Sequence, residues 1–384
     1  MLFLNNDDVQ RVLTVEDTLR VLEDGHRELA RHELVARPRV DIYTETDDPA
    51  RFHRWGTMEG SSKGLHRHVI RMKSDIISWR DIGDGRRVED KYCTQPGLFC
   101  GLLFLFDTNT GEPLAIINDG YLQHLRVGGL AALGAKYLAK SDASVVGMLG
   151  SGGMAHSHLL AFAAVRSIKR VQVYSPTAAH REAYAREMSE ALDLDVIPCG
   201  SAEEAARGAE ILASCTSSVT PTVLASMVEP GMHLTQVMGE IHRDALARID
   251  VAIGGDPTSQ VVQGVPIDDS RGFTTYLAGS RVALEEAMGP GSRRDDLTSG
   301  GESRRERTAS QRARVVPLVD LIAGTASGRQ SAREVSASGG VIGGGGGKQG
   351  LQFVTVSSLV YDRAKAAGLG REVPTEWFLQ DIRN

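Results

Sequence analysis

Ala143-Ser-Val-Val-Gly-Met-Leu149 runs directly into Gly150-Ser-Gly-Gly-Met-Ala155. Val145, Val146, Met148 and Leu149 form a short apolar run of buried-strand length, closed by glycine. A helix-compatible segment, His156-Ser-His-Leu-Leu-Ala-Phe-Ala-Ala-Val165, follows at once. Strand, glycine turn and helix together raise the G-x-G-x-x-A pattern above chance as a dinucleotide cradle. Gly150 permits the tight turn, Gly152 lets the backbone approach a pyrophosphate, and Ala155 lets helix and strand pack closely. Gly150, Ser151, Gly152, Gly153 and Met154 are the expected phosphate contacts. There the helix N-terminus offers free N–H groups and the positive end of its dipole. The alternative is a glycine-rich turn that binds nothing, in a chain where 42 of 384 residues are glycine.

Downstream of this turn the pattern alternates. Strands are expected at 170–174, 195–198, 210–215, 233–237 and 250–253, with helical segments such as 178–192 between them. That rhythm implies a Rossmann-type, doubly wound parallel sheet. Cys215-Thr-Ser-Ser218 falls at a strand's carboxyl end, where such sheets bind ligands, which makes Thr216 and Ser217 cofactor candidates. The second strand ends in Tyr174-Ser-Pro-Thr177, followed by His180 and Arg181. An NAD fingerprint places Asp or Glu near this point to hold the ribose hydroxyls. Its absence, with Ser175, Thr177 and Arg181 in reach, favours NADP(H) over NAD(H), although neutral residues also permit NAD.

Upstream the reading differs. Residues 9–34 carry helical periodicity, with Asp7 or Asp8 as a cap. Ala36-Arg-Pro-Arg-Val-Asp-Ile-Tyr43 is a strand whose Arg37 and Arg39 could hold a carboxylate or simply lie exposed on an edge. Residues 64–80 alternate as a strand, with Lys73 on the polar face. A lysine so placed is usually solvated; facing a closed pocket, it becomes an acid, a base or a carboxylate ligand. Residues 98–106 read as a buried strand, Asp107 to Pro113 as a hairpin turn, and Leu114-Ala-Ile-Ile117 as the returning strand. Tyr121 to Leu138 is a long helix rich in small residues. Residues 1–123 and 350–384 are thus expected to form a mixed, largely antiparallel α+β domain, and residues 124–349 the dinucleotide domain. The arginine- and serine-rich stretch at 289–314 and the glycine run at 339–350 read as mobile loops or insertions.

Composition narrows the class. Hydrophobic content of 41% and charge content of 24% suit a soluble globular chain of two domains. A net charge of −6 argues against a general nucleic-acid partner. Cys93, Cys100, Cys199 and Cys215 show neither C-x-x-C nor metal-ligand spacing and read as reduced, buried thiols of a cytoplasmic protein. No metal motif appears. The N-terminus carries no signal-peptide pattern, and no run approaches transmembrane length.

Several blocks, taken in order, resemble the ornithine cyclodeaminase/mu-crystallin family over nearly the whole chain. They are Pro38-Arg39, the strand with Lys73, Leu105-Phe-Asp-Thr-Asn-Thr-Gly-Glu-Pro-Leu114 and Tyr121-Leu-Gln-His-Leu-Arg126. Gly150 to Ala155, Ile211-Leu-Ala-Ser-Cys-Thr-Ser217 and Val360-Tyr-Asp-Arg-Ala-Lys365 follow. The resemblance implies a dinucleotide domain inserted between segments that build a substrate and dimerisation domain, hence a homodimer. It also implies hydride chemistry at an amino- or imino-acid Cα. Arg39 and Arg126 would clamp the substrate carboxylate, Met58 would line the pocket, and Lys73 would hydrogen-bond the carboxylate or donate a proton.

Two departures bear on the reaction. The family's Leu-Arg-Thr-Ala-Ala is here Leu125-Arg-Val-Gly-Gly129, which removes a hydroxyl expected near the cofactor phosphates. The Gly-Gly-Asp of ornithine cyclodeaminases is here Met238-Gly-Glu240, which makes Glu240 a second catalytic candidate of altered reach. The leading expectation is an NAD(P)-dependent reductase of an imino acid, or the reverse amino-acid dehydrogenase. A cyclodeaminating ammonia lyase that recycles NAD internally is the second reading. A non-enzymatic NADPH- and ligand-binding protein like mu-crystallin is the third.

Overall fold

The computed structural model describes residues 1–83, 87–237, 239–255, 273–289, 313–339 and 348–382. The two expected loops therefore lie almost wholly outside the described residues, as does Met238.

The chain opens with β1 (Leu2–Leu4), α1 (Asn6–Val12) and α2 (Val15–Ala30). The periodicity across 9–34 thus resolves into two helices. Asn5, rather than Asp7 or Asp8, caps the first, with Asp8 completing a reciprocal capping box. The Thr14 hydroxyl accepts from the Asp17 N–H at 3.2 Å and starts the second. Next come β2 (Leu34–Ala36), β3 (Arg39–Glu45), β4 (Phe52–Ser62), β5 (Arg67–Asp81), β6 (Arg87–Tyr92), β7 (Cys100–Asp107) and β8 (Pro113–Asn118). The strand expected from residue 98 begins at Cys100. Leu98 and Phe99 close the preceding turn, with the Cys93 N–H donating to the Leu98 carbonyl at 2.8 Å, and they are 51% and 62% exposed.

α3 (Gly120–Leu138) leads into the second sheet through β9 (Val145–Leu149), α4 (Gly153–Val165), β10 (Arg170–Tyr174), α5 (Ala178–Leu192), β11 (Asp195–Pro198), α6 (Ala202–Ala206) and β12 (Ile211–Ser214). β13 (His233–Gln236), α7 (Arg243–Leu246), β14 (Val251–Ile253), β15 (Phe273–Ala278) and α8 (Arg281–Met288) follow. The chain closes with β16 (Arg314–Val316), α9 (Leu318–Ala323), β17 (Ser336–Ser338), α10 (Gln349–Ala366) and β18 (Arg371–Glu372).

The second sheet has the order β11-β10-β9-β12-β13-β17-β14-β16, and its neighbours pair in parallel. Burial on both faces explains apolar strands such as Ile211-Leu-Ala-Ser214, all four residues of which are buried. The order reverses between β9 and β12, which opens a crevice at their carboxyl ends.

The first sheet runs β15-β3-β4-β5-β7-β8-β1-β18, with β2 on β4 and β6 on β5. Its pairs are antiparallel except β1 with β8 and β15 with β3. β15 and α8 fall inside the 124–349 stretch, yet the strand pairs with β3, and Leu284 and Met288 of α8 pack with Tyr43, Phe52, Ile77 and Trp79. At the sheet's other end, α10 buries Leu351, Phe353, Val354, Val356 and Val360 completely. Each contributes on the order of 1.5–3 kcal/mol. Gly60 of β4 and Gly350 of α10 meet backbone to backbone, and a Cβ on either would collide with the other's main chain. That close approach sets Gln352 and Phe353 down on the sheet.

Cys199 and Cys215 are buried as expected, whereas Cys93 and Cys100 are only half-buried at the β6–β7 turn. Among the described residues, no helix is long and apolar enough to cross a membrane.

Candidate active site

β4 and β5 alternate so that Phe52, Arg54, Gly56 and Met58 face the same side as Val69, Arg71, Lys73, Asp75, Ile77 and Trp79. This is the covered face. Lys73 therefore does not lie on a solvated polar face: it is 9% exposed, Arg54 and Arg71 are 6%, and Asp75 is 5%. The reason is tertiary. α10 roofs one end of the face and α8 the other, and the charged rows lie between them.

Within those rows the cations are held by acids. Lys73 Nζ donates to Asp75 Oδ2 at 2.8 Å, and Arg54 Nη2 donates to the same oxygen at 3.0 Å. Arg54 Nη1 stands 3.5 Å from Glu89 Oε1. Arg39 grips Asp41 with Nε and Nη2, each at 2.8 Å. Gly56 joins Asp41 and Lys73 in the strand register. Arg71 Nε donates to Asp119 Oδ2 at 2.6 Å, and its Nη1 lies 3.7 Å from the sulfur of Met58, which is buried beneath it.

Arg126 is bound differently. It projects from α3, 6% exposed, and donates to the side-chain oxygens of Gln123 and Gln352 at 2.8–3.1 Å. Its guanidinium lies 4.6 Å from the Phe353 ring, and that of Arg71 lies 5.3 Å from the same ring. Its hydrogen-bond acceptors are amide oxygens, so its charge is free to meet an incoming anion.

The electrostatics follow from this packing. Burial, then Arg54 and Arg39, push the Lys73 ammonium well below its ordinary range, with Asp75 only partly opposing them. Burial, then Arg71 and Arg39, bring Arg126 down to about 9. Arg39 thus acts on both, and the three residues expected to hold a carboxylate share one electrostatic neighbourhood. Burial would raise the Asp75 carboxyl, but Lys73 and Arg54 outweigh it and hold it at about 2.

The glycine turn forms the second half of the site. Gly150 has φ +106° and sits so close to the Cys215 carbonyl that a Cβ would collide with it. Gly152 caps α4 without a side-chain bond and has no atom within 4 Å of where a Cβ would stand. That open, glycine-walled helix N-terminus is the shape a pyrophosphate requires. Past β10, Ser175 is buried, Arg181 Nη1 donates to its carbonyl at 2.9 Å, and Thr177 caps α5 with its hydroxyl uncommitted to the helix. Ser151, Gly153 and Met154 lie on the same turn, and Thr216 and Ser217 leave β12 beside it.

The two halves touch. The Glu89 N–H donates to the Ser217 carbonyl at 3.2 Å, and Val88 bridges to Ser218. The acid beside Arg54 is therefore anchored to the loop that follows β12. Glu240 is fully buried on the dinucleotide side, where the Thr216 N–H approaches its Oε1 at 3.4 Å.

Arg54, Arg71, Asp75, Asp119 and Gln352 are site residues that sequence reasoning missed. One signal was present: Arg71, Lys73 and Asp75 fall at i, i+2 and i+4 between Val69 and Ile77, so one strand face carries both the charges and the apolar residues. Asp119, Gln352 and Phe353 come from distant elements and had no local signal.

The family model described as the ornithine cyclodeaminase/mu-crystallin family matches residues 98–367. The chain is 30% identical over 235 residues to an ornithine cyclodeaminase of Agrobacterium fabrum, covering 57% of this chain and 64% of that one. It thus spans less than two thirds of that relative. It is 27% identical over 275 residues to a Delta(1)-pyrroline-2-carboxylate reductase of Bacillus cereus, covering 71% of this chain and 74% of that one. The structure of the Thermococcus litoralis Delta(1)-pyrroline-2-carboxylate reductase, in complex with NADH and L-proline, matches 97% of this chain and 100% of its own. The TM-score is 0.71 at 19% identity, a likeness of fold.

Proposed function

Since the chain belongs to the ornithine cyclodeaminase/mu-crystallin family, we propose that it is an NAD(P)-dependent oxidoreductase acting at the Cα of an amino or imino acid. The observation that carries this reading is the buried cation cluster of Arg39, Lys73 and Arg126, tied through Glu89 and Ser217 to the glycine turn. An amino or imino acid brings the carboxylate that such a cluster lacks.

Gly150, Ser151, Gly152, Gly153 and Met154 hold the coenzyme phosphates, and Thr216 and Ser217 flank the nicotinamide side. The nicotinamide supplies a hydride to the C=N carbon, or accepts it in the reverse direction. Arg126 and Arg39 orient the carboxylate, with Met58 supporting Arg71 beneath them. Lys73 holds the proton that the nitrogen gains on reduction, and Asp75 aims it. Lys73 is favoured over Glu240 here because its Nζ belongs to the cation cluster, whereas Glu240 is enclosed beside the Thr216 backbone.

NADP(H) is the proposed coenzyme. Ser175, Thr177 and Arg181 put hydroxyls and a cation, not a carboxylate, at the end of β10. The protein is also proposed to be a homodimer. Exposed Ile42 and Tyr276 are neighbours in register and suit association through the first sheet. Its four free thiols accord with a cytoplasmic setting.

The test follows NADPH and NADH absorbance with 2-oxo acids plus ammonium or methylamine, and with preformed cyclic imines. Oxidation with an acceptor supports the reductase. Silence across the panel, with ammonia released from ornithine in the presence of NAD, overturns it in favour of the lyase.

A further inference from the structure

We propose that the substrate carries a second carboxylate on its side chain, and that Arg54 is the specificity residue that binds it. This rests on the reductase reading above and adds the substrate class.

The first observation is an unmet donor. Arg54 is 6% exposed, and its Nε has no hydrogen-bond partner, although Nη2 and Nη1 face Asp75 and Glu89. A buried guanidinium N–H without an acceptor costs stability unless a ligand supplies one.

The second is charge balance. Among the described residues, the cluster gathers the cations Arg39, Arg54, Arg71, Lys73, Lys91 and Arg126 against the acids Asp41, Asp75, Glu89 and Asp119. Two pairs are self-contained, Arg39 with Asp41 and Arg71 with Asp119. One surplus charge is that of Arg126, which bonds only to glutamine oxygens. The other belongs to Arg54, Lys73 and Lys91, which share Asp75 and Glu89. Two separate excesses of positive charge in a largely enclosed site match two anionic groups.

The third is position. Arg54 pairs with Asp75, one row beyond Gly56 and Lys73 and on the side away from Met58 and Arg71. Rows two residues apart on a strand are about 7 Å apart. With the α-carboxylate between Arg126 and Arg39, and Cα beside Lys73, a side chain of two or three carbons brings its end to Arg54. Past Arg54 the face closes on Phe52, Ile77 and Trp79, which leaves no room for a longer chain.

The experiment uses the full-length protein with NADPH or NADH, ammonium, and acceptors matched in length: 2-oxoglutarate against 2-oxopentanoate, and oxaloacetate against 2-oxobutanoate. In each case ammonium condenses with the keto carbon with loss of water, and the imine takes up a hydride and a proton. The expected kcat/KM is at least tenfold higher for the dicarboxylates. Arg54→Gln should lower the dicarboxylate-to-monocarboxylate ratio at least tenfold, and Arg54→Lys should recover part of it. Equal or better use of the monocarboxylates overturns the inference and leaves the reductase reading standing. So does an Arg54→Gln variant that loses both activities alike, because that is the mark of a merely structural residue. If no acceptor is reduced, the reductase reading fails, and calorimetric titration of the protein–NADPH complex decides the inference alone. Tighter binding of glutarate than of valerate supports it, and equal binding overturns it.

Discussion

Lys73 Nζ and Arg54 Nη2 donate to one oxygen, Oδ2 of Asp75, at 2.8 and 3.0 Å. Two buried cations share a single carboxylate, and each weakens the hold of the other on its proton or its partner. Such an arrangement costs stability in the empty protein and is completed by an anionic ligand.

Replacing Lys73 should therefore separate function from folding. In Lys73→Met, Asp75 keeps Arg54 as its partner and a desolvated ammonium disappears. Turnover should fall at least about a hundredfold, while the thermal midpoint stays level or rises. Coenzyme fluorescence titration should give an unchanged affinity. Turnover within tenfold of the parent removes the proton-donor role.

The same pair makes two statements about pH. The Asp75 carboxyl is held at about 2, below its ordinary 3.8, so the stability it contributes is present above about pH 4 and is lost as pH falls toward 2. Unfolding midpoints at pH 5, 4 and 3 should show this loss in the parent and not in Asp75→Asn. Lys73 shifts downward from 10.5. If it acts as the protonated donor in reduction, kcat/KM should fall with rising pH well before 10.5, and a flat profile to that point argues against it.

The glycine turn allows two substitutions with opposite signatures. Gly150→Ala places a Cβ on a residue with φ +106° and against the Cys215 carbonyl, and should destabilise the fold by about 1–3 kcal/mol. Gly152→Ala meets no atom within 4 Å in the protein. It should leave the thermal midpoint unchanged while weakening coenzyme binding at least tenfold, by keeping the pyrophosphate off the backbone. Isothermal titration with NADPH, alongside thermal denaturation, tells the two apart.

Arg181 tests the coenzyme. Its guanidinium already donates to the Ser175 carbonyl, next to the expected ribose end. Arg181→Ala should raise the Kd for NADPH at least tenfold and change that for NADH by less than threefold. An equal effect on both would remove the 2′-phosphate contact.

Where elements are set by local pattern, they were legible. The helix read at 178–192 is Ala178–Leu192, and the strand read at 195–198 is Asp195–Pro198. The glycine turn falls between β9 and α4 as its spacing requires. Elements whose identity depends on partners were misread or missed. Leu98 and Phe99 look like strand residues but close a turn, and β15 joins a sheet whose other strands lie far away in the chain.

The sequence by itself determined a dinucleotide turn, a parallel sheet after it, and a cationic set of Arg39, Lys73 and Arg126, because each rests on residue type at short spacing. Only the tertiary structure decided that the charged face of β5 is the buried one. Period-two alternation separates two faces of a strand but does not say which is covered, and here α8 and α10 cover the face that carries the charges. The same roofing turns Arg54, Asp75 and Gln352 from ordinary surface types into parts of a site. Burial, more than residue identity, sets how strongly their charges act on one another.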